Sequence, residues 1–196
     1  MPATPDMKTT QRELPPFSPR PLYSDIYPLE EFYAARGEPV PVLGRIKPEE
    51  LPEPYRSLLV HETDMTSTLE KFHKEKLHVE VLARHTCDNE YYREVVLVLD
   101  SSKKRVEFGA IKIIIDLFPP EARQEILREQ QPLGRVLTKF KIPFSSRPGP
   151  CLRMVSDPFI DSALGLTGQA FLYGRRNSLV DAWDRPLAEI VEILPP

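Results

Sequence analysis

The chain has 196 residues, 41% of them apolar and 28% charged, with a formal net charge of -3. This fits one globular core of moderate size and leaves no electrostatic footprint for nucleic acid or an anionic membrane. No apolar stretch reaches the roughly 18 residues of a membrane-spanning helix, and the polar residues 1–14 lack the apolar core of a secretory signal. Two cysteines without close pairing, Cys87 and Cys151, point to free thiols, a reducing compartment and a cytoplasmic location.

Twelve of the 22 prolines fall within the first 54 residues. Proline fixes φ and removes a backbone donor, so residues 1–25 are expected to form a disordered or extended tail. Residues 26–50 then form a Pro-rich lead-in to a folded body over 51–196. Within the lead-in, Leu29, Phe32 and Tyr33 have the spacing of a short helix that docks on the body. Ser67-Thr68-Leu69-Glu70 has the form of a capping box, and Leu69, Phe72 and Leu77 give the helix after it an apolar face. Residues 77–81 alternate as a half-buried strand should. The apolar run 91–99 is a second strand, 100–104 a polar turn and 106–115 a third strand. Pro119-Pro120-Glu121 opens a short helix, since proline is tolerated in a first turn, and a second short helix carries Pro132 and Leu137. Residues 143–150 read as a loop. Two last strands, 169–180 and 186–194, flank a turn at 181–184. Neighbouring strands with helices grouped between them predict an α+β fold with a mostly antiparallel sheet.

Catalytic and metal motifs are sparse. His61, His73, His78 and His85 lack metal-ligand spacing, Cys87 has no nearby base, and the eight glycines form no phosphate-binding loop. What remains is a set of arginines and carboxylates on strands. Side chains alternate along a strand, so Arg93 points the same way as Val95, Leu97 and Leu99. A guanidinium at the head of an apolar row is costly to bury unless an anion meets it. That anion is either a structural carboxylate, Glu189 or Glu192, or a bound ligand. Of Arg175 and Arg176 only one can point inward, and Glu189 and Glu192 take opposite faces.

Five segments in chain order resemble the chorismate pyruvate-lyase family. They are the run from Leu58 through Met65 to Thr66, Arg93-Glu94-Val95-Val96-Leu97, Pro132-Leu133-Gly134-Arg135-Val136-Leu137, Gly174-Arg175-Arg176-Asn177, and the end from Arg185-Pro186-Leu187 through Glu192 to Pro196. The resemblance spans about residues 51–196. It implies an antiparallel sheet with helices packed on one side and helix-turn flaps over a buried ligand site. It also implies a lyase that splits chorismate into 4-hydroxybenzoate and pyruvate without metal or organic cofactor. On this resemblance Arg93 pairs with the ring carboxylate, Met65 and Leu133 offer backbone N–H groups and cover the ring, and Glu192 meets the ring hydroxyl and carries the proton.

Two departures weaken the match. The family's Gly-Arg-Thr on the third strand is replaced by Gly109-Ala110-Ile111-Lys112, so Lys112 is the candidate for the missing charge, with a solvated strand lysine as the alternative. One-residue spacing differences near Pro186 leave Glu189 in competition with Glu192. A second reading is therefore a non-catalytic binding protein for a small aromatic carboxylic acid, since the same fold serves as the effector module of bacterial transcription regulators. A third is a lyase-fold enzyme on a related enolpyruvyl or hydroxybenzoate compound. The expected partner is a small molecule, and the Pro-rich front, lacking a helix-turn-helix pattern, argues against nucleic acid.

Overall fold

The computed structural model describes residues 12–13 and 24–196, so the tail expected over 1–25 lies almost wholly outside the described residues. The strands are β1 (Arg12–Glu13), β2 (Leu43–Ile46), β3 (Leu77–Cys87), β4 (Glu90–Leu99), β5 (Arg105–Ile114), β6 (Ser145–Val155), β7 (Phe171–Val180) and β8 (Pro186–Leu194). The helices are α1 (Leu29–Arg36), α2 (Tyr55–Leu59), α3 (Met65–His73), α4 (Pro120–Leu127), α5 (Leu133–Lys139) and α6 (Pro158–Leu164). One sheet has the order β1-β3-β4-β5-β8-β7-β6-β2, antiparallel except where the two-residue β1 joins β3. The α+β class with a mostly antiparallel sheet is thus as predicted.

Alternation along β4 sets the layers. Val95, Leu97 and Leu99 pack with Leu58 of α2 and Leu69 of α3, while Tyr92, Val96 and Val98 pack with Phe32 of α1 and Ile160 of α6. Near the start of β4, Tyr91 joins Ile111 and Ile113 of β5 under Ala122 of α4 and Val136 of α5. The helix-turn flaps roof one face, as the resemblance implies. The opposite face is covered by α1, from the lead-in, and by α6.

Three local expectations change. The helix expected after Ser67 starts at Met65, because Asp64 caps it by accepting from the Ser67 N–H at 2.8 Å, and an Asp cap satisfies a first-turn donor at least as well as Ser. Residues 143–150, expected to be a loop, supply the first half of β6. There β2, which pairs only with 151–154, leaves the outer side of the strand open, so Pro148 and Pro150 sit where a missing ladder donor is tolerated. The register shift between Pro148 and Cys151 absorbs the irregularity. Strand β2 and helices α2 and α6 went unread in the sequence.

The lead-in docks as its spacing suggested, and deeply: Leu29, Phe32 and Tyr33 are fully buried. Arg36 forks onto buried Glu94 at 2.7 and 3.3 Å, and Tyr33 donates to Asp157 at 2.6 Å. Just before α1, the Tyr27 hydroxyl meets that of Tyr92 at 3.0 Å, and Tyr92 donates on to Glu90 at 2.5 Å. Tyr27→Phe removes one buried hydrogen bond and leaves the Tyr92–Glu90 bond in place. It is expected to cost about 1 kcal/mol, read as a lower urea midpoint with an unchanged slope.

Candidate functional site

A cavity of about 60 Å³ lies between the sheet and the first turns of α3 and α5, which bring Met65 and Leu133 over it. The two helices start side by side because residue 134 has no side chain. A Cβ on Gly134 would fall 2.4 Å from the Asp64 carboxylate that caps α3. Directly paired strand residues share a face, so the register lays the floor out in rows. One row runs Arg93–Ile111–Ile190–Asn177, and the next runs Val95–Gly109–Glu192–Arg175. Gly109 is needed for close strand approach, since a Cβ there would sit 2.3 Å from the Val191 carbonyl oxygen.

Arg93 is 2% exposed. Its only hydrogen bond runs from Nη2 to the Gln131 carbonyl at 3.5 Å, the long limit of such a contact, and Nε and Nη1 have no partner among the described residues. The nearby carboxylate of Glu129 is occupied by the Tyr91 hydroxyl and by Arg84 at 2.8 Å. Burial lowers the Arg93 pKa, with Tyr91 and Glu129 opposing the shift, yet a guanidinium starts so high that it keeps its charge. Among the described residues the result is a buried cation without a counterion beside a cavity.

The structural ion pair weighed for Arg93 is made by a different arginine. Arg175, 1% exposed, donates from Nε to Glu192 at 2.5 Å and from Nη1 to the carbonyls of Leu59 and His61 at 2.8 and 2.9 Å. Arg176 points to the other face and pairs with Glu189, which also accepts from Ser178 at 2.7 Å. Glu192 is therefore the carboxylate on the cavity side, and Glu189 is not. Lys112 also lies away from the cavity. It pairs directly with Glu189 in register, donates to Glu90 at 3.2 Å and sits 5.2 Å from the Tyr27 ring centre. At 6% exposure it is neither the replacement cation nor a solvated lysine.

The structure thus brings together Arg93, Met65, Leu133 and Glu192 and excludes Lys112. It adds Asn177, whose Oδ1 accepts from Ser146 at 2.9 Å, and Glu107, two residues before Gly109 on the same strand face. Glu107 is 5% exposed and its Oε2 has no partner among the described residues. Burial and then the charge of Glu192 raise its pKa, with Arg175 pulling the other way. Counting by two from Ile111 through Gly109 would have found Glu107 in the sequence. Among the described residues no cluster of His, Cys, Asp and Glu could hold a metal, and no helix is long and apolar enough to cross a membrane.

No family model matches this sequence, and no curated protein matches it significantly. Solved structures do match. PhnF from Mycobacterium smegmatis is 14% identical over 69% of this chain and 64% of its own, with a TM-score of 0.53. The effector domain of PhnF, solved alone, matches over 67% of this chain and 88% of its own at a TM-score of 0.50, again 14% identical. YydK from Bacillus subtilis, described as a possible transcriptional regulator, is 9% identical over 61% of this chain and 57% of its own, at a TM-score of 0.47. The chain spans just under two thirds of full-length PhnF. Likeness this distant speaks to fold alone. The expected chorismate lyase activity, with its 4-hydroxybenzoate and pyruvate products, is corrected on two grounds: the matched domain of PhnF is an effector domain, and Glu192, the expected proton carrier, is bound up by Arg175, with no second cation lining the cavity beside Arg93 among the described residues. This chain shares its fold with the effector domain of PhnF, and at its cavity lies a buried arginine with no counterion among the described residues.

Proposed function

We propose that this protein is a non-catalytic binding domain for a small carboxylic acid with a flat, apolar body. One observation carries the reading: Arg93 is buried against a cavity with two guanidinium nitrogens unpartnered among the described residues. An isolated charge so placed is expensive unless an anion completes it, and the planar fork of arginine matches a carboxylate in a bidentate way. The first-turn N–H groups of α3 and α5 have no intrahelical acceptor, so those at Met65 and Leu133 are the natural second donors to the same carboxylate. The side chains of Met65, Leu133, Val95, Leu97 and Ile190 supply apolar walls for the body of the ligand. Use of this fold as an effector domain in PhnF agrees with a binding role.

Calorimetric titration with benzoate and its neutral isostere benzamide tests the reading. Benzoate is expected to bind and benzamide to bind at least about tenfold more weakly, the loss of one charge-assisted contact. Equal binding of the two, or binding of neither, would overturn the carboxylate assignment.

A further inference from the structure

The cavity has two poles, and a carboxylate on Arg93 uses only one. At the far end two carboxyl groups, Glu107 and Glu192, face a single guanidinium, Arg175, whose Nε is committed to Glu192. Glu107 Oε2 is left buried and unpartnered at the cavity wall. Gly109 pairs directly with Glu192, so Glu107, two residues along β5, stands diagonally across from it, about 7–8 Å away backbone to backbone. Because residue 109 has no side chain, the space between the poles stays open: a Cβ there would lie 3.4 Å from Glu107 Oε1. With all four groups ionised, the Arg93 end carries one positive charge in excess and the Glu107 end one negative. A simple monoanion answers the first and leaves the second unmet.

We propose that the ligand is an amino-carboxylate, its carboxylate on Arg93 and a primary ammonium group on Glu107 with Glu192 alongside. The proposal rests on the Arg93 reading and adds the second pole to it. Burial and the charge of Glu192 favour the protonated Glu107 in the empty site, opposed by Arg175. The other titratable groups around this cluster are His61, held toward its neutral form by burial and by Arg175, Asp64, which is committed to the α3 cap, and Cys151, directly opposite Arg175 on β6, whose thiol burial keeps protonated. An arriving ammonium group meets the Glu107 carboxylate, so the proton leaves Glu107 for solvent and the ligand keeps its own. A hydroxyl or methyl group in the same place has no such effect.

The test uses three acids of one shape on the full chain: 4-(aminomethyl)benzoate, 4-(hydroxymethyl)benzoate and 4-methylbenzoate. Titration at mildly acidic pH in two buffers of different ionisation enthalpy reads both affinity and proton release. The amino compound is expected to bind about tenfold tighter than the other two, the scale of a hydrogen bond to a charged group, and to release a proton that the methyl compound does not. Glu107→Gln is expected to erase both the preference and the release while plain benzoate still binds. If that variant fails to fold, proton release by the wild type decides alone. Equal or weaker binding of the amino compound, or binding without release, overturns the proposal while leaving the Arg93 reading intact. Binding of none of the three overturns both.

Discussion

Arg93→Met should lose carboxylate binding by at least about 100-fold, the scale of a buried bidentate contact, and yet melt higher than the wild type in the absence of ligand. The two effects have one cause. A guanidinium 2% exposed and held by a single 3.5 Å contact has given up its hydration without a counterion. Methionine keeps much of the apolar stem, adapts to irregular space and buries no charge. Replacing an uncompensated charge by an apolar residue of similar length is expected to return about 1–3 kcal/mol. In a domain of this size that raises the melting temperature by about 2–12 °C. Thermal unfolding with and without benzoate checks both halves: the variant melts higher alone and gains nothing from ligand. A variant that melts several degrees lower would make Arg93 a structural residue, and the cavity would lose its claim to be a site. A residue that destabilises the empty protein and is needed only when it is loaded marks function rather than folding.

Much of this was legible in the sequence, because period-two patterning fixes faces before any pairing is known. The strands around 91–99, 106–115 and 186–194 are close to β4, β5 and β8, and Arg93 falls on the cavity face by counting alone. What counting along one strand cannot supply is register between strands. Counting by two puts Lys112 on the same face as Ala110, but Arg93 pairs directly with Ile111, which turns the side chains of 110 and 112 away from the site. Register also made Arg175 the partner of Glu192, since the two are directly opposed on β7 and β8. Before that pairing is known, Arg93, Arg175 and Arg176 compete equally for two glutamates. The prolines of 143–150 hid the start of β6 for a different reason: proline is disfavoured in a strand only where a ladder donor is needed, and the open side of β6 needs none. The lead-in showed its helical spacing, whereas the depth at which Phe32 and Tyr33 sit depends on residues of β4, β5 and β8 that no local pattern reveals.

Arg175→Met should do the reverse of Arg93→Met and cost about 3–5 kcal/mol, the usual penalty for removing one member of a buried pair. The melting temperature should fall by about 6–20 °C. The loss is not one contact. Glu192 would lose its counterion, Glu107 the only cation that now opposes the rise in its pKa, and the carbonyls of Leu59 and His61 the donor that ties the end of α2 to the sheet. The pH dependence gives the cause away. Without Arg175 the Glu107 carboxyl loses the charge that opposes its rise and stands further above its unfolded pKa, so the folded state holds the extra proton and stability falls as pH rises. The deficit relative to wild type should therefore be smallest below the unfolded carboxyl pKa of about 4.3. It should grow as pH rises above that value and level off once pH has passed the folded pKa. Denaturant titrations of both proteins across that range measure it. A deficit independent of pH would mean that the carbonyl contacts, not the ion pair, hold this corner together. The double change Arg175→Met with Glu192→Met should recover much of the loss, because a buried pair replaced whole by apolar residues is often close to neutral. Two arginines on the same sheet face, both almost wholly buried, thus divide by what meets them. Arg175 meets a carboxylate and two carbonyls of the protein, with only its Nη2 unpartnered among the described residues, and sustains the fold, while Arg93 is left for something that arrives.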